Sequence, residues 1–239
     1  MAKLHDDWLV LPHGRLDELE PGLLTVVGQI PMPLGNFPRR MTVIGLPRKR
    51  TAIYSPIPLK EGAMKRIEEL GAPAFLIVPN PSHRLDIRPF HQRYPKAKVI
   101  TAFGARQMVE EAVPVTATDA DFGGVAELVE LAGTDRKELA MLIRHQGSTT
   151  LLTNDVIGNV GHPKGPGAKF MSRLMGFGPT PRITRAAKWF FLKDKAAVAA
   201  QFREWAAIDG LKRIVPSHGD VIANPRTVLL KLADRLAPQ

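Results

Sequence analysis

The chain has 239 residues, 44% of them hydrophobic and 23% charged, a composition that calls for a packed core over most of its length and excludes disorder as the dominant state. It has no cysteine, which removes disulfides, thiolate metal sites and thiol nucleophiles and leaves metal binding to His, Asp, Glu or Asn. The net charge of +10 is concentrated: residues 163–213 carry eleven Lys or Arg against Asp194, Glu204 and Asp209, a local balance of +8.

One domain over residues 1–239 is expected at this length. Apolar runs such as 74–79 and 189–192 are far shorter than the ~20 residues that cross a bilayer, so no membrane span is expected. The start of the chain, through Asp6 and Asp7, lacks the basic and apolar pattern of a secretory signal, and the expected location is the cytoplasm.

Residues 23–30, 40–46 and 51–55 are short β-branched runs that read as an antiparallel meander. Residues 59–70 have helical spacing, with Met64, Ile67 and Leu70 on one face. Residues 74–78 are an unbroken apolar strand ended by Pro79-Asn80-Pro81, the pattern of a strand buried on both faces. A short helix at 88–94, a strand at 98–101 and a helix at 104–111 follow. Strands are expected at 128–131, 138–144 and 149–153, the last two joined by a tight turn at Gln146-Gly147. The Gly- and Pro-rich stretch 158–181 is expected to break regular structure. A helix at 195–206, a final strand at 213–215 running into Pro216-Ser217-His218-Gly219-Asp220, and a helix at 225–236 complete the chain. Two runs of strands, each followed by helices, imply two sheets with helices outside them.

Three polar residues stand where apolar strands are expected to stop: His83 after 75–78, Asp155 after 151–154, and His218 after 214–217. Strand ends converge in layered α/β folds, and two imidazoles with a carboxylate form a ligand set for zinc, iron or manganese. Each residue taken singly also has the plainer reading of a turn former or loop cap.

These segments resemble the metallo-β-lactamase superfamily, and within it a branch designated a domain of unknown function. Leu76-Ile-Val-Pro-Asn-Pro-Ser-His83, with Phe90 and Tyr94-Pro-Lys-Ala97, resembles that branch's Pro-Asn-x-x-His turn and Tyr-Pro-x-Ala segment. Ser148-Thr-Thr-Leu-Leu-Thr-Asn-Asp155, with Asn159, is similar to its Ser-x-Thr-Leu-Leu-x-x-Asp element. Pro216-Ser-His-Gly-Asp220 resembles the superfamily's late His-Gly turn, and Arg40-Met-Thr-Val-Ile44 with Ser55-Pro56 also fits. The resemblance implies an αβ/βα sandwich, two mixed β-sheets flanked by helices, with the site on one edge.

The superfamily's first metal motif, His-x-His-x-Asp-His, falls on Val78, Asn80, Ser82 and His83, so only its last histidine is present. The strand-end histidine expected near Ala132-Gly133-Thr134 is absent, and Ser82 stands for the aspartate of the second metal position. The resemblance therefore implies at most one metal, on His83, Asp155 and His218. A catalytic zinc takes about three protein ligands and lowers its water's pKa to ~7, whereas Ser82 cannot serve as the base that aspartate supplies.

Asn80, Ser82, Asp86, His91 and Asn159 are additional candidate site residues. Asp86 and His91 also read as the start and body of a solvated helix. His145 reads as an exposed hairpin residue, and His162, in Gly161-His-Pro-Lys-Gly-Pro-Gly167, lies in a loop without the ending of a phosphate-binding loop.

Within the basic segment the aromatics Phe170, Phe177, Trp189, Phe190 and Phe191 alternate with cations. Such a pattern fits a nucleic-acid or anionic-lipid surface, and equally an insertion packed over the fold or against a second subunit. The resemblance places a variable cap at this position, about 160–212, over the mouth of the site, where its cations would select an acidic substrate. Trp189, Phe190 and Phe191 cannot all face one side of a helix, so exposed aromatics, a lid and a homodimer contact are expected. The function expected is a divergent metallo-hydrolase-like protein acting on an anionic or ester-type small molecule, with no catalytic base assigned. The rival is a non-catalytic small-molecule or nucleic-acid binding protein that keeps the fold without metal.

Overall fold

The computed structural model describes residues 4–32, 35–161 and 166–237. The chain divides into two compact units: Met1–Ile30 with Arg39–Gly124, and Pro31–Pro38 with Val125–Gln239.

The first unit is built on a six-stranded mixed sheet. Its strands in spatial and chain order are β1 (Asp17–Glu20), β2 (Leu23–Met32), β3 (Gly35–Leu46), β4 (Arg50–Tyr54), β5 (Ala72–Val78) and β6 (Lys98–Thr101). β3 and β4 pair antiparallel, while β4, β5 and β6 run parallel. Parallel neighbours need crossovers, and these are α1 (Glu61–Leu70) and α2 (Ile87–Arg93). The helical spacing of α1 puts Met64 and Ile67 into a core with Met41, Val43, Ile53, Leu76, Val78 and Phe90. Truncating one of these fully buried side chains to Ala costs about 2–5 kcal/mol. The helix expected over 104–111 is a 3₁₀ turn, Phe103–Ala105, leading into α3 (Arg106–Glu110).

The second unit has a five-stranded mixed sheet: β7 (Ala126–Glu130), β8 (Leu139–His145), β9 (Ser148–Asn159), β10 (Arg182–Ile183) and β11 (Leu211–Gly219). β8 and β9 form the expected hairpin through Gln146 and Gly147, both at positive φ, with His145 opposite Ser148. β10 pairs antiparallel and β11 parallel with β9. Two helices, α6 (Lys195–Ala206) and α7 (Pro225–Leu236), pack against one another. Val198, Phe202, Trp205, Leu229 and Leu232 bury against Leu142, Leu151, Ile157 and Ile214.

Three expectations are corrected. The stretch 158–181 is not devoid of regular structure, since α4 (Pro166–Met175) lies in it, and α5 (Arg185–Phe190) follows. β9 runs six residues beyond 153, so Asp155 lies within a strand. β11 continues through Pro216 and His218. Proline lacks a ladder donor and is tolerated on edge strands, and among the described strands β11 pairs with β9 alone. The register also shifts between Pro216 and His218.

Candidate metal centre

In the first unit, β5 delivers the chain to a buried turn. Asn80 is extended and its side-chain oxygen accepts the Ser82 N–H at 2.8 Å, capping the 3₁₀ turn Pro81–His83. His83 is 3% exposed, and its Nδ1 lies 2.7 Å from Ser55 Oγ. Ser55 follows β4, is fully buried, and holds a φ of 56° while its N–H donates to Ile77 O at 2.9 Å. A left-handed non-glycine costs about 1–3 kcal/mol and persists where its surroundings demand it. In the tautomer in which Nδ1–H donates to this hydroxyl, Nε2 is the lone-pair nitrogen of the ring. Sequence reasoning placed Ser55 in a matching segment but assigned it no role, because its contact is with a residue 28 positions away.

Asp86, three residues past His83, is buried and not a solvated helix start. Its carboxylate is bonded to the Arg39 guanidinium and, at 2.6 Å, to His5 Nδ1. Burial pushes the Arg39 guanidinium down to about 10. Arg39 Nε and Nη1 have no hydrogen-bond partner among the described residues, so the carboxylate is its one strong interaction there. His91 lies on α2 with a buried Nδ1 that has no partner among those residues.

In the second unit, Asp155 of β9 and His218 of β11 come together, Oδ1 to Nε2 at 2.9 Å. His218 Nδ1 is 2.7 Å from the carbonyl oxygen of Pro38. A carbonyl only accepts, so Nδ1 carries a proton; Nε2 then faces the carboxylate as an N–H donor on an imidazolium and as a lone pair on a neutral ring. Two acceptors at this separation repel unless positive charge sits on the ring or between them. A divalent cation meets that requirement, and the donor set, imidazole nitrogen with carboxylate oxygen, is one that zinc, iron and manganese accept.

The ring of His218 is also held by aromatics, Phe37 at 4.9 Å and Phe177 at 5.8 Å between centroids. Phe177 comes from the basic segment, which therefore reaches His218. The next residue, Gly219, has a φ of 105°, and a Cβ there would lie 2.0 Å from Asn159 O, so the His-Gly pair is demanded by the approach of β9. Asn159 itself donates from Nδ2 to Asp220 O at 3.1 Å, fixing the end of the strand.

The positions where the resemblance calls for first-metal histidines have other occupations: Val78 is in the core and Asn80 caps the turn. Ser82, at the position of the second-metal aspartate, is half-buried. Gly133 has a φ of 71°, and a Cβ on it would lie 2.2 Å from Asp194 O, which leaves no room for a histidine. His162 lies outside the described residues.

No family model matches the chain, and no curated protein matches it. Solved structures do. The DIM-1 metallo-β-lactamase exposed to ceftazidime superposes with a TM-score of 0.63 at 9% identity, covering 95% of this chain and 99% of that one. The mono-zinc form of FIM-1 from Pseudomonas aeruginosa gives 0.61 at 12% identity, covering 95% and 96%. A metallo-β-lactamase from Erythrobacter litoralis gives 0.62 at 13%, covering 92% and 96%. The chain thus has the metallo-β-lactamase fold, an α/β sandwich of two mixed sheets flanked by helices. No helix among the described residues is long and apolar enough to cross a membrane.

Proposed function

We propose that the protein is metallo-hydrolase-like, holding one divalent metal on His83, Asp155 and His218 and acting on an anionic or ester-type small molecule. The observation that carries this reading is the Asp155–His218 contact at 2.9 Å, which sets an acceptor against an acceptor on a neutral ring whose Nδ1–H donates to Pro38 O. It is supported by the chemistry of His83, a buried imidazole at the turn after β5 whose Nδ1 is engaged by Ser55. When bound, the ion supplies Lewis-acid polarisation of a carbonyl or phosphoryl oxygen.

The chain's own residues do the rest. Ser55 orients His83, the Pro38 carbonyl orients His218, and Phe37 and Phe177 shield the His218 ring from water. Such partners of a ligating imidazole fix its tautomer and raise its basicity. One metal rather than two is favoured because Val78, Asn80 and Gly133 offer no imidazole. The cations of residues 160–212 favour an acidic substrate.

Metal analysis of protein purified without chelator or histidine tag tests the proposal. About one equivalent per chain is expected, and zinc at a hundredfold excess over its Kd raises the melting temperature by about 5–11 °C. Folded protein that neither retains nor is stabilised by zinc, iron or manganese overturns it. Metal binding without turnover of any carboxylate-bearing ester leaves the rival reading, a binding protein on the same fold.

A further inference from the structure

Between Asp155 and Asp194 the sequence contains seven Lys or Arg and no Asp or Glu. The two helices in this stretch, α4 and α5, pack against each other, and Arg185 Nη1 donates to Arg173 O at 3.3 Å across their junction. They are anchored: Ser172 of α4 and Ala187 of α5 are buried, as are Phe191 and Leu192 directly after α5. Their other residues include the three most exposed large apolar side chains among the described residues, Phe190 at 64%, Trp189 at 61% and Phe170 at 60%, with Leu174 at 44%. Phe170 and Leu174 are four apart on α4 and share a face. Lys169, Arg173 and Lys188 beside them are exposed and have no ion pair among the described residues.

We propose that α4 and α5 form a docking surface for an anionic phospholipid bilayer, seated by Phe170, Leu174, Trp189 and Phe190 and held by the cations around them. Large apolar side chains on short helices, ringed by Lys and Arg, are the composition of an interfacial anchor. The apolar side chains enter the headgroup–acyl boundary, and the long basic stems extend to the phosphates. Tryptophan suits this boundary because its ring is apolar and its N–H remains solvated. The charge pattern disfavours a second copy of the chain on this face, since two such surfaces would oppose cations with no carboxylate between them. Nucleic acid would satisfy the cations, but Leu174 has no ring to stack on a base.

The test is flotation of the full chain with vesicles of phosphatidylcholine alone and with about 30 mol% phosphatidylglycerol, a composition chosen to span the surface charge of anionic leaflets. At least about tenfold stronger partitioning onto the anionic vesicles is expected, weakening with salt, with a blue shift of tryptophan emission. The pair Trp189→Asp and Phe190→Asp, both at exposed positions, is expected to lose about tenfold or more while keeping its circular dichroism. The triple change Lys169→Glu, Arg173→Glu and Lys188→Glu is expected to abolish the preference for phosphatidylglycerol. Should the aspartate pair misfold, the wild-type emission shift and the charge-reversed variant still decide the matter. Equal partitioning onto both vesicles, binding unaffected by these changes, a tight RNA or DNA complex without vesicle binding, or a dimer in light scattering that dissociates with the aspartate pair each overturns the proposal.

Discussion

Two carboxylates, buried Asp86 in the first unit and half-buried Asp155 in the second, have opposite surroundings. Asp86 in the first unit meets the guanidinium of Arg39 and the imidazole of His5. Asp155 in the second unit meets an imidazole whose Nδ1–H already donates to the Pro38 carbonyl. The first is a structural ion pair that ties β3 to the turn after His83, whereas the second is an arrangement in which added positive charge relieves a repulsion. The contrast separates a carboxylate serving stability from one suited to a ligand, although both stand near a strand end in the sequence.

The largest effect is expected at the structural pair. Arg39→Ala leaves the Asp86 charge buried, and stability falls by about 3–5 kcal/mol, measured by urea unfolding. Replacing both partners together, Arg39→Met with Asp86→Leu, recovers most of that loss because no lone charge remains. Asp155→Asn is expected to behave in the opposite way. Without metal its stability stays within about 0.5 kcal/mol of wild type or rises, since an amide N–H can donate to His218 Nε2. Its zinc affinity falls by at least about 100-fold in a competition titration. A large loss of metal-free stability in Asp155→Asn would erase the distinction between the two carboxylates.

Ser55→Ala removes the partner of His83 Nδ1 and is expected to weaken zinc binding by about 10–100-fold with a smaller effect on folding. Equal effects on metal-free and metal-bound stability would reduce Ser55 to a packing role. The smallest effect concerns a carboxylate at the surface of the first unit. The hydrogen bond from Arg93 holds the Glu61 carboxyl below its ordinary value. A depressed acid contributes stability above its unfolded pKa, and that contribution disappears as the pH falls through the folded value. The stability difference between wild type and Glu61→Gln should therefore be present at neutral pH, begin to fall below the ordinary glutamate value of about 4.3 and vanish below the depressed folded value, which thermal melts across the acid range would detect.

Much of the architecture was legible in the order of residues. β6, α6 and α7 occupy the ranges that periodicity assigns them, 98–101, 195–206 and 225–236, because an apolar stripe at the period of its element leaves one way to bury it. The exposure of Trp189 and Phe190 beside a buried Phe191 also follows from helical geometry, since three consecutive side chains span too wide an arc to share one face. His83, Asp155 and His218 were singled out by their places after apolar runs, as ligand types that chemistry recognises without coordinates.

Tertiary structure decided what depends on partners distant in sequence. β9 and β11 extend to Asn159 and Gly219 because each supplies the other's hydrogen bonds in parallel register, a pairing that local propensity opposes at Pro216. Arg39 and Asp86 stand 47 residues apart, and nothing local marks one as the counter-charge of the other. Gly133 became a reason for a missing histidine only when Asp194 was seen to fill the space of a Cβ. Side-chain type determined which residues were able to bind, whereas the Pro38 carbonyl, an acceptor only, decided that His218 carries its proton on Nδ1, and such a preference is set by neighbours in space rather than in sequence.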